Sequence, residues 1–122
     1  MKAILFISHG SRSIKTEGEV RGFIERLRQK AQIAIIEYAF LDVARPTIPE
    51  GIDACVTRGA TDIVVLLNFL NAGLHVDEDI PEIVEEARAK YPKVTFRITK
   101  PVGQHERIME LFLDMVDNPS QE

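Results

Sequence analysis

KAILFIS, residues 2–8, followed at once by His9-Gly10, is a short apolar run enriched in Ile and Phe that breaks at a polar turn. A strand buried on both faces has this character, since neither side needs the polar alternation of a half-exposed strand. Three further segments repeat it: IAIIEYAF at 33–40, DIVVLL at 62–67 and VTFRI at 94–98. Between and after them, apolar residues recur three or four positions apart, which is helical spacing. Val20, Phe23, Ile24 and Leu27 form the first such stripe, and Ile48, Ile52 and Val56 the second. Ile83, Val84 and Ala87 form the third, and Ile108, Leu111, Phe112 and Met115 the fourth. Pro46 is expected to open the second helix and Gly59, after Arg58, to stop it; Pro81 is expected to open the third, which ends before Tyr91-Pro92. Strands and helices in strict alternation, with short connections, predict an α/β three-layer sandwich: a four-stranded parallel sheet with helices on both faces.

The chain has 122 residues, 45% of them hydrophobic, enough for one domain with a real core. That domain is expected over residues 1–117, with a frayed tail at 118–122. One cysteine, Cys55, cannot build a disulfide framework, and no secretory segment or run of about 18 apolar residues is present. A cytoplasmic protein with no membrane partner is the expectation. Fifteen Lys and Arg against nineteen Asp and Glu give a net charge of −4, which argues against a general grip on nucleic acid. Any anionic ligand must therefore meet local positive charge.

In such folds ligands gather at the carboxyl ends of the strands. The first strand delivers Ser8-His9-Gly10-Ser11-Arg12 there, the second Leu41-Asp42 with Arg45 close behind, the third Asn68 to His75 and Asp79, and the fourth Lys100-Pro101. His9, His75 and Asp42 are thus expected on one rim. Two neutral imidazoles and a carboxylate suit iron, cobalt, nickel or zinc better than magnesium or calcium, and the same groups can move protons. A lone rim histidine is as readily a loop residue satisfying backbone groups; three ligand-type residues from three strand ends favour a site.

Other chemistries find less support. No Gly-rich phosphate loop of the nucleotide-binding kinds is present, and Ser8, Ser11 and Ser13 lack the Gly-x-Ser-x-Gly elbow. Cys55 lies three residues after Ile52, on the apolar side of the second helix, where a buried thiol is inert. His105 is expected to cap or to face solvent. Asp79 is expected to cap the third helix, Asp77 to favour its N-terminus and Glu78 to face the cleft.

Three blocks in order carry a resemblance: Ser8-His9-Gly10-Ser11-Arg12; FLDVARPTIP at 40–49; and FLNAGLHVDEDIP at 69–81, with its Gly-x-His-x-x-x-Asp-Ile-Pro pattern. The chain from Met1 to about Val116 resembles the CbiX-type sirohydrochlorin chelatases. That resemblance implies insertion of a divalent metal, cobalt, iron or nickel, into sirohydrochlorin or a related tetrapyrrole without ATP. The metal is a substrate, and no permanently bound cofactor is implied. The family's metal-site histidines correspond to His9 and His75, and a carboxylate that is usually Glu corresponds to Asp42. The short form of the family is implied to work as a homodimer whose pockets face a shared cleft.

Metal insertion requires an ion stripped of water, removal of the pyrrole protons and a ring bent toward the ion. Imidazoles can hold the ion weakly and accept protons near neutral pH, and a carboxylate can orient them or relay the proton. Because the substrate is a polycarboxylate, the pocket mouth should be basic within an acidic chain. Arg12, Lys15, Arg45 and Lys100 are the available cations, and the two arginines can grip carboxylates bidentately. Ser11 and Glu78 complete the expected substrate contacts, while Gly10 and Gly73 either admit a flat ring or serve turns. The shorter Asp42, together with Asn68 and Asn71, keeps an alternative alive: a carrier that binds metal or tetrapyrrole without turnover. A histidine phosphatase would need Arg before the His-Gly pair, where Ser8 stands.

Overall fold

A computed structural model describes residues 1–120, apart from the side chain of His75; Gln121 and Glu122, part of the expected frayed tail, lie outside the described residues. Strands β1 (Lys2–Ser8), β2 (Ile35–Phe40), β3 (Asp62–Leu67) and β4 (Thr95–Ile98) alternate with helices α1 (Ile14–Lys30), α2 (Ile48–Thr57), α3 (Ile80–Lys90) and α4 (Ile108–Asp117). A π-helical turn, His75–Asp79, runs into α3, and a 3-10 turn, Val102–Gln104, precedes α4. The sheet is wholly parallel in the order β2-β1-β3-β4, with Ala3 paired to Ile35 on one side and to Ile63 on the other. The predicted α/β architecture is the observed one.

Alternation along β1 divides the core. Ala3, Leu5 and Ile7 join Ile52, Cys55, Ile80 and Val84 under α2 and α3, while Phe6 meets Ile24 and Ile36 under α1. Twelve large aliphatic side chains among the described residues, Leu5, Ile7 and Ile63 among them, are below 2% exposed. Burial of one such aliphatic chain contributes about 1.5–3 kcal/mol, so the central strands carry most of the fold's stability. Helix α2 lies close on the sheet because Gly51 leaves room: a Cβ there would meet Leu5 Cδ1 at 2.8 Å and Ala39 Cβ at 3.0 Å. Cys55 is fully buried and burial pushes its thiol up to about 12, which makes it structural.

Element ends correct parts of the sequence reading. Pro46 does not open α2; it follows a cis peptide bond in the β2–α2 loop, and Thr47 is the N-cap, with Pro49 in the first turn. The stop is as expected, with Arg58 as the C-cap and Gly59 at φ +100°. Pro81 lies in the first turn of α3, but Asp79 has helical dihedrals and makes no capping bond, because the π-helical turn already continues into the helix. Helix α4 forms where the apolar stripe predicts, yet none of its residues is buried. Among the described residues no helix is long and apolar enough to cross a membrane.

Candidate functional site at the carboxyl rim

Three loops leave the carboxyl ends of β1, β2 and β3, and backbone bonds stitch them together. The Leu41 amide donates to the Ser8 carbonyl at 2.9 Å, the Asp42 amide to the His9 carbonyl at 2.9 Å, and the Asn68 amide to the Ile7 carbonyl at 2.9 Å. The Asn68 side chain adds a bond from Nδ2 to Ser8 Oγ at 3.2 Å, the one buried polar hydroxyl at the end of β1. His9 is exposed at the centre of this junction, its ring 6.2 Å from that of Phe69. The rim is thus one hydrogen-bonded unit rather than three independent loops.

Gly10 shows how close the first two loops come. Its φ is +110°, and a Cβ would lie 1.9 Å from the Asp42 carbonyl oxygen. Only glycine fits, both for the dihedral and for the contact. Of the two uses expected of Gly10, the turn conformation is the one that this dihedral and contact carry. Gly73 has open space where a Cβ would be, so its position is free on the solvent side.

Asp42 is exposed, and its Oδ1 accepts from the Val43 amide at 2.9 Å. Val43 itself sits at φ 53°, a left-handed conformation that a β-branched residue rarely takes and that costs about 1–2 kcal/mol. The turn that presents Asp42 is therefore held against its own preference, a pattern that clusters at functional sites.

The third loop is anchored from behind. The Gly103 amide donates to the Phe69 carbonyl at 3.1 Å, and a Cβ on Gly103 would lie 1.7 Å from the Leu70 carbonyl oxygen. Gly73 then accepts from the Asp77 amide at 2.9 Å, which starts the turn whose first residue is His75. His75 enters the rim through its backbone; its side chain is outside the described residues. Among the described residues no group of three His, Cys, Asp or Glu side chains that could hold a metal ion is present.

The expected cations differ in availability. Arg12 is exposed with no ion-pair partner among the described residues. Arg45 pairs through two of its nitrogens with Glu50, so that cation is already engaged within the β2–α2 loop, though its side chain remains 81% exposed. Ser11 accepts from the Ser13 amide at 3.0 Å and shapes the start of α1. Lys100 lines an apolar groove beside α1, Lys15 a neighbouring pocket of mixed polar and apolar lining, and Glu78 is exposed on the π-helical turn. His105 accepts the Arg107 amide on Nδ1 at 3.0 Å, a local capping role. The sequence reading missed Gly103 as the anchor of the third loop and left Asn68 unexplained, since both act through partners distant in sequence.

Comparison with known proteins follows this geometry. A family model described as CbiX matches residues 3–118. A sirohydrochlorin cobaltochelatase of Priestia megaterium is 40% identical over 112 residues, 91% of this chain and 36% of its own length. A sirohydrochlorin ferrochelatase of the same organism is 34% identical over 117 residues, 96% of this chain and 44% of its own length. This chain thus spans less than half the length of either relative. The crystal structure of the sirohydrochlorin chelatase SirB from Bacillus subtilis subspecies spizizenii in complex with cobalt superimposes with a TM-score of 0.84 at 35% identity, covering 96% of this chain and 50% of that one.

Proposed function

This chain belongs to the CbiX family, and from that premise we propose that it inserts a divalent metal ion, cobalt, iron or nickel, into sirohydrochlorin or a closely related tetrapyrrole, without ATP. The observation that carries the reading is the stitched rim, which brings His9, the Asp42 turn and the loop leading to His75 into one hydrogen-bonded unit at the end of the sheet where α/β folds bind ligands. Relatives named for cobalt and iron insertion into sirohydrochlorin are over a third identical to the chain across the aligned stretch, which is more than nine-tenths of its length.

In this mechanism His9 and His75 receive the ion and hold it through neutral imidazole nitrogens. Two protein ligands bind loosely enough to surrender the metal to the ring nitrogens, so an incomplete site is an advantage. As the ion passes into the ring, the pyrrole protons leave; each imidazole nitrogen that the ion vacates can take one up, and Asp42, on the adjoining turn, passes it to solvent. Arg12, exposed after β1 and without an ion-pair partner among the described residues, holds a substrate carboxylate, and Arg45 does so by exchanging Glu50 for it. Ser11, Glu78 and the open backbone at Gly73 line the approach. Proton transfer and ion exchange need no redox change, and cytoplasmic pH suits an imidazole base. The working unit is a homodimer with two rims facing one cleft, since a macrocycle about as wide as the sheet needs walls on both sides.

The test is metallation of sirohydrochlorin by the pure chain with Co, Fe or Ni, followed by the change in the macrocycle's visible spectrum. Turnover above the spontaneous rate is expected, and His9→Ala should lower it by about 100-fold or more while the circular dichroism stays unchanged. Binding of one equivalent without turnover would replace the enzyme reading with the carrier.

A further inference from the structure

The pairing of β1 with β3 does not stop where the strands do. Their Cα partners run from Lys2 with Asp62 to Ile7 with Leu67, every pair sixty positions apart. Beyond Leu67 the Asn68 amide donates to the Ile7 carbonyl at 2.9 Å, and Asn68 Nδ2 donates to Ser8 Oγ at 3.2 Å, again across sixty positions. The next pair at this offset is His9 with Phe69, whose ring centroids lie 6.2 Å apart with their planes at 55°. Ladder bonds thus give way to a side-chain bond and then to a ring contact, and the sheet register is kept through all three. That separation falls in the range where tilted rings attract each other.

Phe69 is held from two further directions. Its half-buried ring packs against the core cluster that contains Ile7 and Leu67. Its carbonyl accepts from the Gly103 amide at 3.1 Å, and the following Leu70 carbonyl closes on the bare Cα of Gly103, where a Cβ would lie 1.7 Å from the oxygen. His9, by contrast, is exposed, and an exposed side chain exchanges among staggered rotamers within nanoseconds. Of the two rings, Phe69 is the fixed one. A fixed apolar ring excludes part of the sweep of the imidazole beside it and, having no polar atom, does not compete for the imidazole nitrogens.

We propose that Phe69 is a positioning residue for metal capture: its ring is a wall that pre-sets the His9 imidazole, so that an arriving divalent ion meets a nitrogen already oriented. The proposal rests on the reading of His9 as a group that receives the ion. A site of few protein ligands gains most from such a wall, because ordering the ligand beforehand removes that cost from the binding step. The close fit of Gly103 behind the rim then has a purpose, since it fixes the segment that carries the ring.

The experiment follows cobalt binding to the chain alone, by the visible absorption of the imidazole-bound ion, and metallation of sirohydrochlorin on the same samples. Phe69→Leu and Phe69→Met keep an apolar side chain against the core and remove the ring, whereas Phe69→Tyr keeps it. Both ring-less variants should bind cobalt about three- to tenfold more weakly and lose kcat by a similar factor, with KM for sirohydrochlorin unchanged. Phe69→Tyr should bind and turn over as the wild type does. Circular dichroism identifies a ring-less variant that fails to fold, and the other then carries the comparison. In a His9→Ala background, Phe69→Leu should cost nothing more, because the ring acts through His9. Cobalt binding that ignores the loss of the ring, losses that add to those of His9→Ala, or a raised KM as the only change overturns the wall; the last would make Phe69 a contact for the macrocycle instead. The outcomes also separate the readings. Cobalt bound through His9 and weakened by Phe69→Leu, without turnover, keeps the wall and removes the enzyme. Full turnover in Phe69→Leu keeps the enzyme and removes the wall, and cobalt binding indifferent to His9→Ala removes the wall whatever the turnover.

Discussion

Asp42 carries the part of the site where chain length and chemistry pull apart. Its carboxylate is one methylene shorter than the glutamate that the resemblance leads one to expect, and one oxygen is already turned back to the Val43 amide. In the proposed mechanism a carboxylate so engaged orients or relays rather than binding metal directly. Asp42→Asn, which keeps the Val43 bond but removes the charge, should therefore cost about tenfold in metallation rate, less than His9→Ala. Asp42→Glu should match or exceed the wild type, because the extra reach restores the longer carboxylate; complete loss of rate in Asp42→Glu would show that the Val43 turn depends on the shorter side chain. The placement of His9 and Asp42 on the rim was legible in sequence, because each follows an apolar run. The fit of Gly10 against the Asp42 carbonyl was not legible, since a local pattern carries no information about which backbone approaches from 32 positions away.

Helix ends and loop anchors set how rigidly those residues are presented. The β2–α2 loop closes in a reciprocal cap: the Thr47 amide donates to Glu50 Oε1 at 2.8 Å, and the Glu50 amide to Thr47 Oγ1 at 3.3 Å. Thr47→Ala should lower stability by about 1 kcal/mol in denaturant titration. Hydrogen bonding to Arg45, and then to the Thr47 backbone, holds the Glu50 carboxyl at about 2 against an ordinary 4.5. A carboxyl depressed on folding adds stability above its unfolded value, and that contribution disappears as pH falls from about 4.5 toward 2. The stability gap between wild type and Glu50→Gln should therefore be full at neutral pH and close across that acid window. A gap that stays constant with pH would detach the cap from the charge. The anchor at Gly103 offers a second reading at this scale. Gly103→Ala must push Leu70 away, so it should cost about 1–3 kcal/mol and depress metallation although residue 103 lies behind the rim. The cap was half legible, since Thr47 and Glu50 have the right spacing but Pro46 competes as a start signal; the anchor was not, because its partner Leu70 lies 33 positions earlier.

At the scale of the molecule, the parallel sheet was the most legible feature, because four apolar runs separated by helical spacings admit few arrangements. The fate of α4 was the least legible. An apolar stripe says that a helix must be covered, not what covers it, and here the stripe predicted burial that the described residues do not provide. The same consideration governs the site. One rim closes only one side of a flat macrocycle, so a proton leaving the far face and a carboxylate on the far edge would meet water instead of protein. If a second copy supplies that wall, activity must depend on association. Specific metallation activity should therefore hold constant while light scattering reports dimer and fall in step with the dimer fraction on dilution. Leu113→Glu with Val116→Glu, which leaves the rim residues untouched, should shift both curves together to higher concentration. A monomer retaining the full specific rate would mean that one rim metallates alone and that pairing serves only to cover α4.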